Sequence, residues 1–162
     1  MKFLLRHFAD LNLPYAFAVK LSFVSSPLLF GRAMLILSED DYDVVGAAGF
    51  VYGTGANSYE DRHICQVEVA YLRSEYRRTT LFMQGLLTLL AEIKAGSPDV
   101  EKIQFWVAEG QSEQERLFSK LNALPGSERH LVNGLACHQI RLRELEDYCR
   151  RFQRRFETVE QT

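Results

Sequence analysis

At 162 residues, with 47% hydrophobic and 25% charged residues and a net charge of −2, the chain has the makeup of one soluble globular domain with its own core. No apolar run approaches the roughly 20 residues of a membrane helix, and the weak negative charge disfavours nucleic acid, a partner that wants a basic face. The cysteines Cys65, Cys137 and Cys149 are odd in number and widely spaced, and no Cys-x-x-Cys or His-x-x-x-His pair suggests a metal, so buried, reduced thiols in a cytoplasmic protein are expected. Arg6, His7 and Asp10 interrupt the N-terminal apolar run too early for a signal peptide.

Residues 2–26 are mixed and apolar, and Pro14 divides them into two expected short helices. Arg32–Leu37 and Val44–Tyr52 are apolar runs joined by the acidic turn S-E-D-D-Y-D, a hairpin pattern. A loop with Gly53, Gly55, Asn57 and Ser58 leads to a third strand near His63. There Val67, Val69 and Tyr71 alternate with Glu68, Ala70 and Leu72, as on two faces of a strand. Ser74 and Glu75 break the pattern, and a helix runs from Leu81 to about Lys94, closed by A-G-S-P-D. Such a strand–turn–helix junction aims the free N–H groups of a helix's first turn, and its dipole, at one point. An anion such as a phosphate is favoured there, and Arg77 and Arg78 stand beside it.

Lys102–Val107 reads as a strand, and Gly110-Gln111-Ser112 opens a helix with Leu117, Phe118 and Leu121 on one face, ended by Pro125 and Gly126. One or two strands follow between His130 and Leu142, then a last helix from Arg143 to Glu157 or beyond with Leu145, Tyr148, Cys149, Phe152 and Phe156 as its apolar stripe. Arg150, Arg151, Arg154 and Arg155 flank that stripe. Docking on its own domain is the expected role, with a homodimer contact or an acidic partner as alternatives. The order implies an α/β (α+β) fold with a mixed central sheet flanked by helices. The strands near Cys65 and Phe105 should be parallel neighbours, with a ligand cleft at their carboxyl ends.

The segment Y-L-R-S-E-Y-R-R-T-T-L-F resembles the turn and phosphate-binding segment of the GNAT acyltransferase superfamily, whose members transfer an acyl group from coenzyme A, usually to an amine. Glu75, Tyr76 and Arg77 match the family pattern, whereas Thr80 and Phe82 replace its two key glycines. A second segment, Gln111 to Ala123, resembles the family's next helix through Leu117, Lys120 and Leu121. Gln111 stands for the usual Asn, Asn122 for the Gly at a left-handed helix end, and Phe118 for the Tyr that protonates the departing thiolate. The resemblance covers about residues 31–142, within a single domain of residues 1–162 that ends in an extra C-terminal helix.

This resemblance implies acetyl-CoA, or another acyl-CoA, as cosubstrate, with no metal and with a small-molecule or peptide amine as acceptor. Backbone groups of Val69, Ala70, Tyr71 and Leu72 would hold the pantetheine arm, and Arg77, Arg78, Thr79, Thr80, Leu81 and Phe82 the pyrophosphate, with Gln111 and Phe118 beside the site. A slot for the arm requires the strands holding Val69–Leu72 and Lys102–Val107 to part. Glu68 is the candidate base, with a solvent-facing carboxylate or an ion pair to Arg73 or Arg62 as the alternative reading. His63 is a second candidate base or acid. Tyr71 is a stand-in acid if it faces the cleft, Cys65 with His63 a candidate nucleophile pair, and Trp106 a sheet-core residue. An inactive GNAT-fold binding or regulatory module is the rival reading, and Thr80, Phe82 and Phe118 favour it.

Overall fold

The computed structural model describes residues 1–11, 13, 15–77, 79–110 and 112–160, for residues 112–114 and 155–160 the backbone alone. Pro14, Arg78 and Gln111, and the side chains of Arg155 and Phe156, thus lie outside the described residues. Six strands, β1 (Gly31–Leu37), β2 (Val44–Tyr52), β3 (Ile64–Leu72), β4 (Lys102–Ala108), β5 (Glu128–Val132) and β6 (Leu135–Arg141), form one sheet in the order β1-β2-β3-β4-β6-β5. Every neighbouring pair is antiparallel except β3 with β4, whose connection carries helix α3 (Thr80–Gly96). The expected parallel pair around Cys65 and Phe105 is therefore present, and the sheet is mixed.

Apolar side chains are buried on both faces. On one, Met83, Leu90 and Ile93 of α3 and Leu145 and Cys149 of α5 (Leu142–Glu160) pack on Phe50, Cys65, Ile103 and Ile140. Their three- and four-residue spacing gives each helix one apolar stripe, and each buried Leu or Ile contributes about 1.5–3 kcal/mol. The last helix therefore docks on its own domain, as its stripe implied. The other face holds a smaller core, Leu4, Val24, Ala47 and Val69, under α1 (Lys2–Arg6) and α2 (Phe17–Phe30). α4 (Ser112–Asn122) links β4 to β5.

Of the two N-terminal α-helices, the first alone is short. α2 spans 14 residues and runs through Pro27 to Phe30, with no loop before β1. Its apolar residues lie on all sides, so no periodicity marks it, and its proline reads as a breaker. Pro27 is buried and sits over Gly49 of β2, where an added Cβ would come within 2.7 Å of the proline ring.

Candidate active site

The register of β3 with β4 ends at Val67 opposite Phe105, although β3 runs on to Leu72 and β4 to Ala108. The two parallel strands part there, and backbone groups on their facing edges lose ladder partners. This is the opening that a slender ligand arm would need. Glu68 and Trp106 are the first residues beyond the parting.

Glu68 is placed by a β-bulge. Gly49 faces Val69 and Phe50 faces Val67, so Glu68 is the extra residue of β3. A bulge puts two successive side chains on one side, and the alternation of faces restarts after it. Val67 consequently packs with Cys65 in the larger core, while Val69 and Tyr71 lie on the α1/α2 side. The regular alternation expected along β3 is corrected accordingly, because Glu68 stands on the same side as Val69 and Tyr71.

That side is closed. Glu68 is 8% exposed, and its carboxyl faces a small cavity lined by Leu13, Tyr15, Phe23, Gln66, Val67 and Trp106. The side chain of Gln66 donates to Oε1 at 2.9 Å. Oε2 is buried with no partner, as is Ser26 Oγ, the two such side-chain atoms among the described residues. Burial pushes the carboxyl above the ordinary glutamate range, against the opposing effect of the Gln66 bond. The solvent-facing alternative is overturned: Arg73 pairs with Glu75 at 2.6 Å, and Arg62 lies over the Tyr52 ring. A buried carboxylate with one free oxygen on a cavity can take a proton from a bound group, directly or through a water. Trp106, expected in the sheet core, is a wall of this cavity.

At the carboxyl end of β3, Arg77 donates from Nε to the Leu72 carbonyl at 2.8 Å, and its guanidinium lies 5.5 Å from the centre of the Tyr71 ring. Leu72 itself is buried, whereas Ala70 is exposed. Thr79 precedes α3 as its N-cap, yet its hydroxyl donates to the Tyr76 carbonyl at 2.7 Å and leaves the first turn without a side-chain cap. Thr80 is exposed and Leu81 half-buried, and Phe82 packs against the larger core. The phenyl group of Phe82 is therefore engaged in packing. Tyr71 meets the N-terminal segment instead of the opening, with its hydroxyl 3.1 Å from His7 Nδ1 and 3.4 Å from Asp10.

Phe118 of α4 joins a stack with Phe105 and His138, the three ring centres 5.1–5.6 Å apart. Its phenyl ring has no proton to give. His138 is 2% exposed, and burial, aided by Arg129, holds its pKa below the usual histidine value. Asn122 Oδ1, which only accepts, lies 2.8 Å from Nδ1, so that nitrogen carries the proton. Asn122 therefore serves as a partner for His138 and is not among the residues of positive φ, contrary to its expected left-handed helix end. The descent from α4 is made instead through Gly126, at φ +70°.

His63 is exposed at the opposite end of β3, where its carbonyl accepts from Glu101 and Lys102. Five residues of strand place it about 15 Å from Glu68, and the structure does not bring the two together. Cys65 is fully buried, and burial pushes its thiol up to about 12; Cys149 is likewise near 12 and Cys137 near 11. A nucleophile there is excluded, since so little thiolate exists near neutral pH. All three thiols are expected to resist iodoacetamide at pH 8 in the folded protein and to react together once it is unfolded, which mass spectrometry of the alkylated chain checks. Labelling of Cys65 in the native state would contradict its burial.

Sequence reasoning missed three glutamines on this sheet, Gln66, Gln104 and Gln139, whose side chains link β3, β4 and β6. Their signal was one glutamine within each of three largely apolar strands. Among the described residues no helix is long and apolar enough to cross a membrane, and no cluster of three or more His, Cys, Asp or Glu is placed to hold a metal.

Neither a protein-family model nor a curated protein sequence matches the chain. Solved structures do. An acetyltransferase of the GNAT family from Staphylococcus aureus Mu50 superposes over 86% of this chain and 88% of its own, with a TM-score of 0.59 at 11% identity. A GCN5-related N-acetyltransferase from Brucella melitensis does so over 86% and 66%, with a TM-score of 0.55 at 10% identity. A Bacillus subtilis acetyltransferase in complex with CoA follows over 74% and 82%, with a TM-score of 0.51 at 12% identity. The chain has the GNAT acetyltransferase fold.

Proposed function

We propose that this chain is a cytoplasmic acyl-CoA dependent N-acyltransferase, acting most naturally with acetyl-CoA on a small-molecule or peptide amine. The observation that carries the reading is the parting of β3 and β4 immediately before a buried glutamate with one free oxygen. Coenzyme A fits the opening as a slender arm between strands. Val69, Ala70, Tyr71 and Leu72 would offer it backbone groups, and the uncapped first turn of α3, with Arg77 and Thr79 to Phe82 around it, would face its pyrophosphate, to which Arg78, next in sequence, would add positive charge. A Bacillus subtilis neighbour of the same fold, solved in complex with CoA, supports coenzyme A as the ligand.

The acyl donor supplies an activated thioester carbonyl. Glu68 takes the proton from the attacking amine, directly or through a water in the cavity, and a backbone N–H freed by the parting of the strands donates to the carbonyl oxygen as charge develops on it. A thiol of ordinary pKa near 8.5 leaves as a thiolate close to neutral pH. The chemistry is thus least sensitive to loss of the acid, which is what Phe118 represents.

Incubating the protein with acetyl-CoA and a panel of polyamines, amino acids and peptides, while following free thiol, tests the proposal. Amine-dependent thiol release is expected; a rate no faster than without protein for every amine would contradict it. The filled ring stack at Phe118 favours one second reading, a binding module without catalysis, which predicts binding of acetyl-CoA without transfer.

A further inference from the structure

Three amides and one carboxylate form a chain across the sheet at the point where β3 and β4 part. Gln139 of β6 donates from Nε2 to Gln104 Oε1 at 2.6 Å, and Gln104 of β4 donates to Gln66 Oε1 at 2.6 Å. Gln66 of β3 donates to Glu68 Oε1 at 2.9 Å. The row is in register, with Gln66 opposite Gln104 and Gln104 opposite Gln139. Gln66, Gln104 and Glu68 are all buried, so a broken link would leave an amide without a partner at a cost of about 1–3 kcal/mol.

The chain has a direction, and the carboxylate sets it. An ionised carboxylate only accepts, so Gln66 must turn its NH₂ toward Glu68 and its carbonyl toward β4. Gln104 then has to donate to that carbonyl and accept from Gln139. Each amide is held in one of its two orientations by the next. The outcome at the far end is that Oε1 is tied down and Oε2 is left to the cavity.

The geometry points to Gln104 as a positioning residue for Glu68: acting through Gln66, it fixes which carboxylate oxygen is held and which faces the incoming amine. The inference rests on the acyltransferase reading, in which Glu68 is the base. It assigns work to a residue on a different strand that reaches Glu68 through the Gln66 amide. Without Gln104, the Gln66 amide is free to reverse and to present its carbonyl to Glu68, a partner that favours the protonated acid. The surroundings add little competing charge. Tyr15, from the segment before α2, is the titratable group facing the carboxyl, while Phe23 of α2, Leu13, and Trp106 of β4 are uncharged.

Gln104→Leu breaks the chain at its centre, and Gln139→Leu at its outer end leaves the inner link intact. Glutamate labelled with ¹³C at the carboxyl, with Glu68 assigned through Glu68→Gln, gives the titration midpoint of Glu68 in each full-length variant by NMR. Q104L is expected to raise the midpoint by about one pH unit, the worth of one charge-assisted hydrogen bond, and Q139L to raise it by less. The acid limb of kcat/KM should move by the same amount while the KM for acetyl-CoA stays put, a split that loss of packing alone would not give. If Q104L does not fold, the half-buried position 139 decides through the direction of its shift. Midpoints within about 0.2 unit of the unmutated protein would overturn the assignment. If the unmutated protein transfers no acyl group, the proposed function fails, while the NMR titration still decides whether the chain of amides governs Glu68.

Discussion

Replacing Glu68 with glutamine is expected to lower kcat/KM for acyl transfer by about 10²- to 10⁴-fold, the range for a positioned general base. Affinity for acetyl-CoA should change little, because Glu68 lies on the α1/α2 side of β3, whereas the turn that faces the pyrophosphate begins beyond Leu72. The same substitution is expected to stabilise the fold. Burial raises the carboxyl pKa in the folded state, so between the ordinary glutamate value and that raised value the folded protein binds more protons than the unfolded chain. Stability contributed at this position therefore falls as pH rises through that window, and above it the full cost of a buried charge is present. Glutamine keeps the shape without the charge, so the gap in Tm between E68Q and the unmutated protein should widen as pH rises above the ordinary glutamate value. An E68Q protein with undiminished turnover would remove Glu68 from the mechanism.

A methyl group added at Gly31 is expected to destabilise the protein by about 3 kcal/mol, the upper end of the usual overpacking cost, and to lower Tm by roughly 6–12 °C. Gly31 is at once the C-cap of α2 and the first residue of β1, paired with Val51. An added Cβ would collide with the Phe50 carbonyl oxygen and lie 2.8 Å from its carbon. Both atoms belong to the backbone of a buried strand and cannot turn aside as a side chain would. The helix can yield only by shifting α2, which carries Phe23 over Glu68 and Pro27 over Gly49. Gly31→Ala should therefore also expose the Glu68 cavity and pull the carboxyl back toward ordinary acidity. Thermal unfolding followed by circular dichroism checks the stability, and a Tm within 2 °C of the unmutated protein would show that the junction is looser than described.

Which parts of this molecule were legible in the sequence follows from where their causes lie. The hairpin, the third and fourth strands, α3, α4 and the docking stripe of α5 are each specified by a local period and local breakers, and these stand close to where the residues put them. α2 has no period, so it was read as shorter than it is. The bulge at Glu68 is set by the pairing with β2, where Gly49 faces Val69 and Phe50 faces Val67, a relation between two strands that no window along β3 contains. Glu68 was found by residue type and place, whereas its burial was not. Asn122 was assigned a backbone role because asparagine tolerates left-handed geometry, but His138, 16 residues away, claims its side chain. The glutamines were passed over because a polar residue in a strand reads as solvent-facing until its neighbours on other strands are known. Their partners come from β4 and β6, and only the register puts them in one row.

We propose that the opening between β3 and β4 is a coenzyme A site even with Thr80 and Phe82 in the first turn of α3. With Phe82 packed against the core, the first turn of α3 remains uncapped at the end of an open strand pair. Calorimetric titration of acetyl-CoA into the purified protein tests this directly. A saturable heat with one site per chain is expected, weakened when Arg77 is replaced by alanine. No detectable heat up to millimolar acetyl-CoA would contradict it.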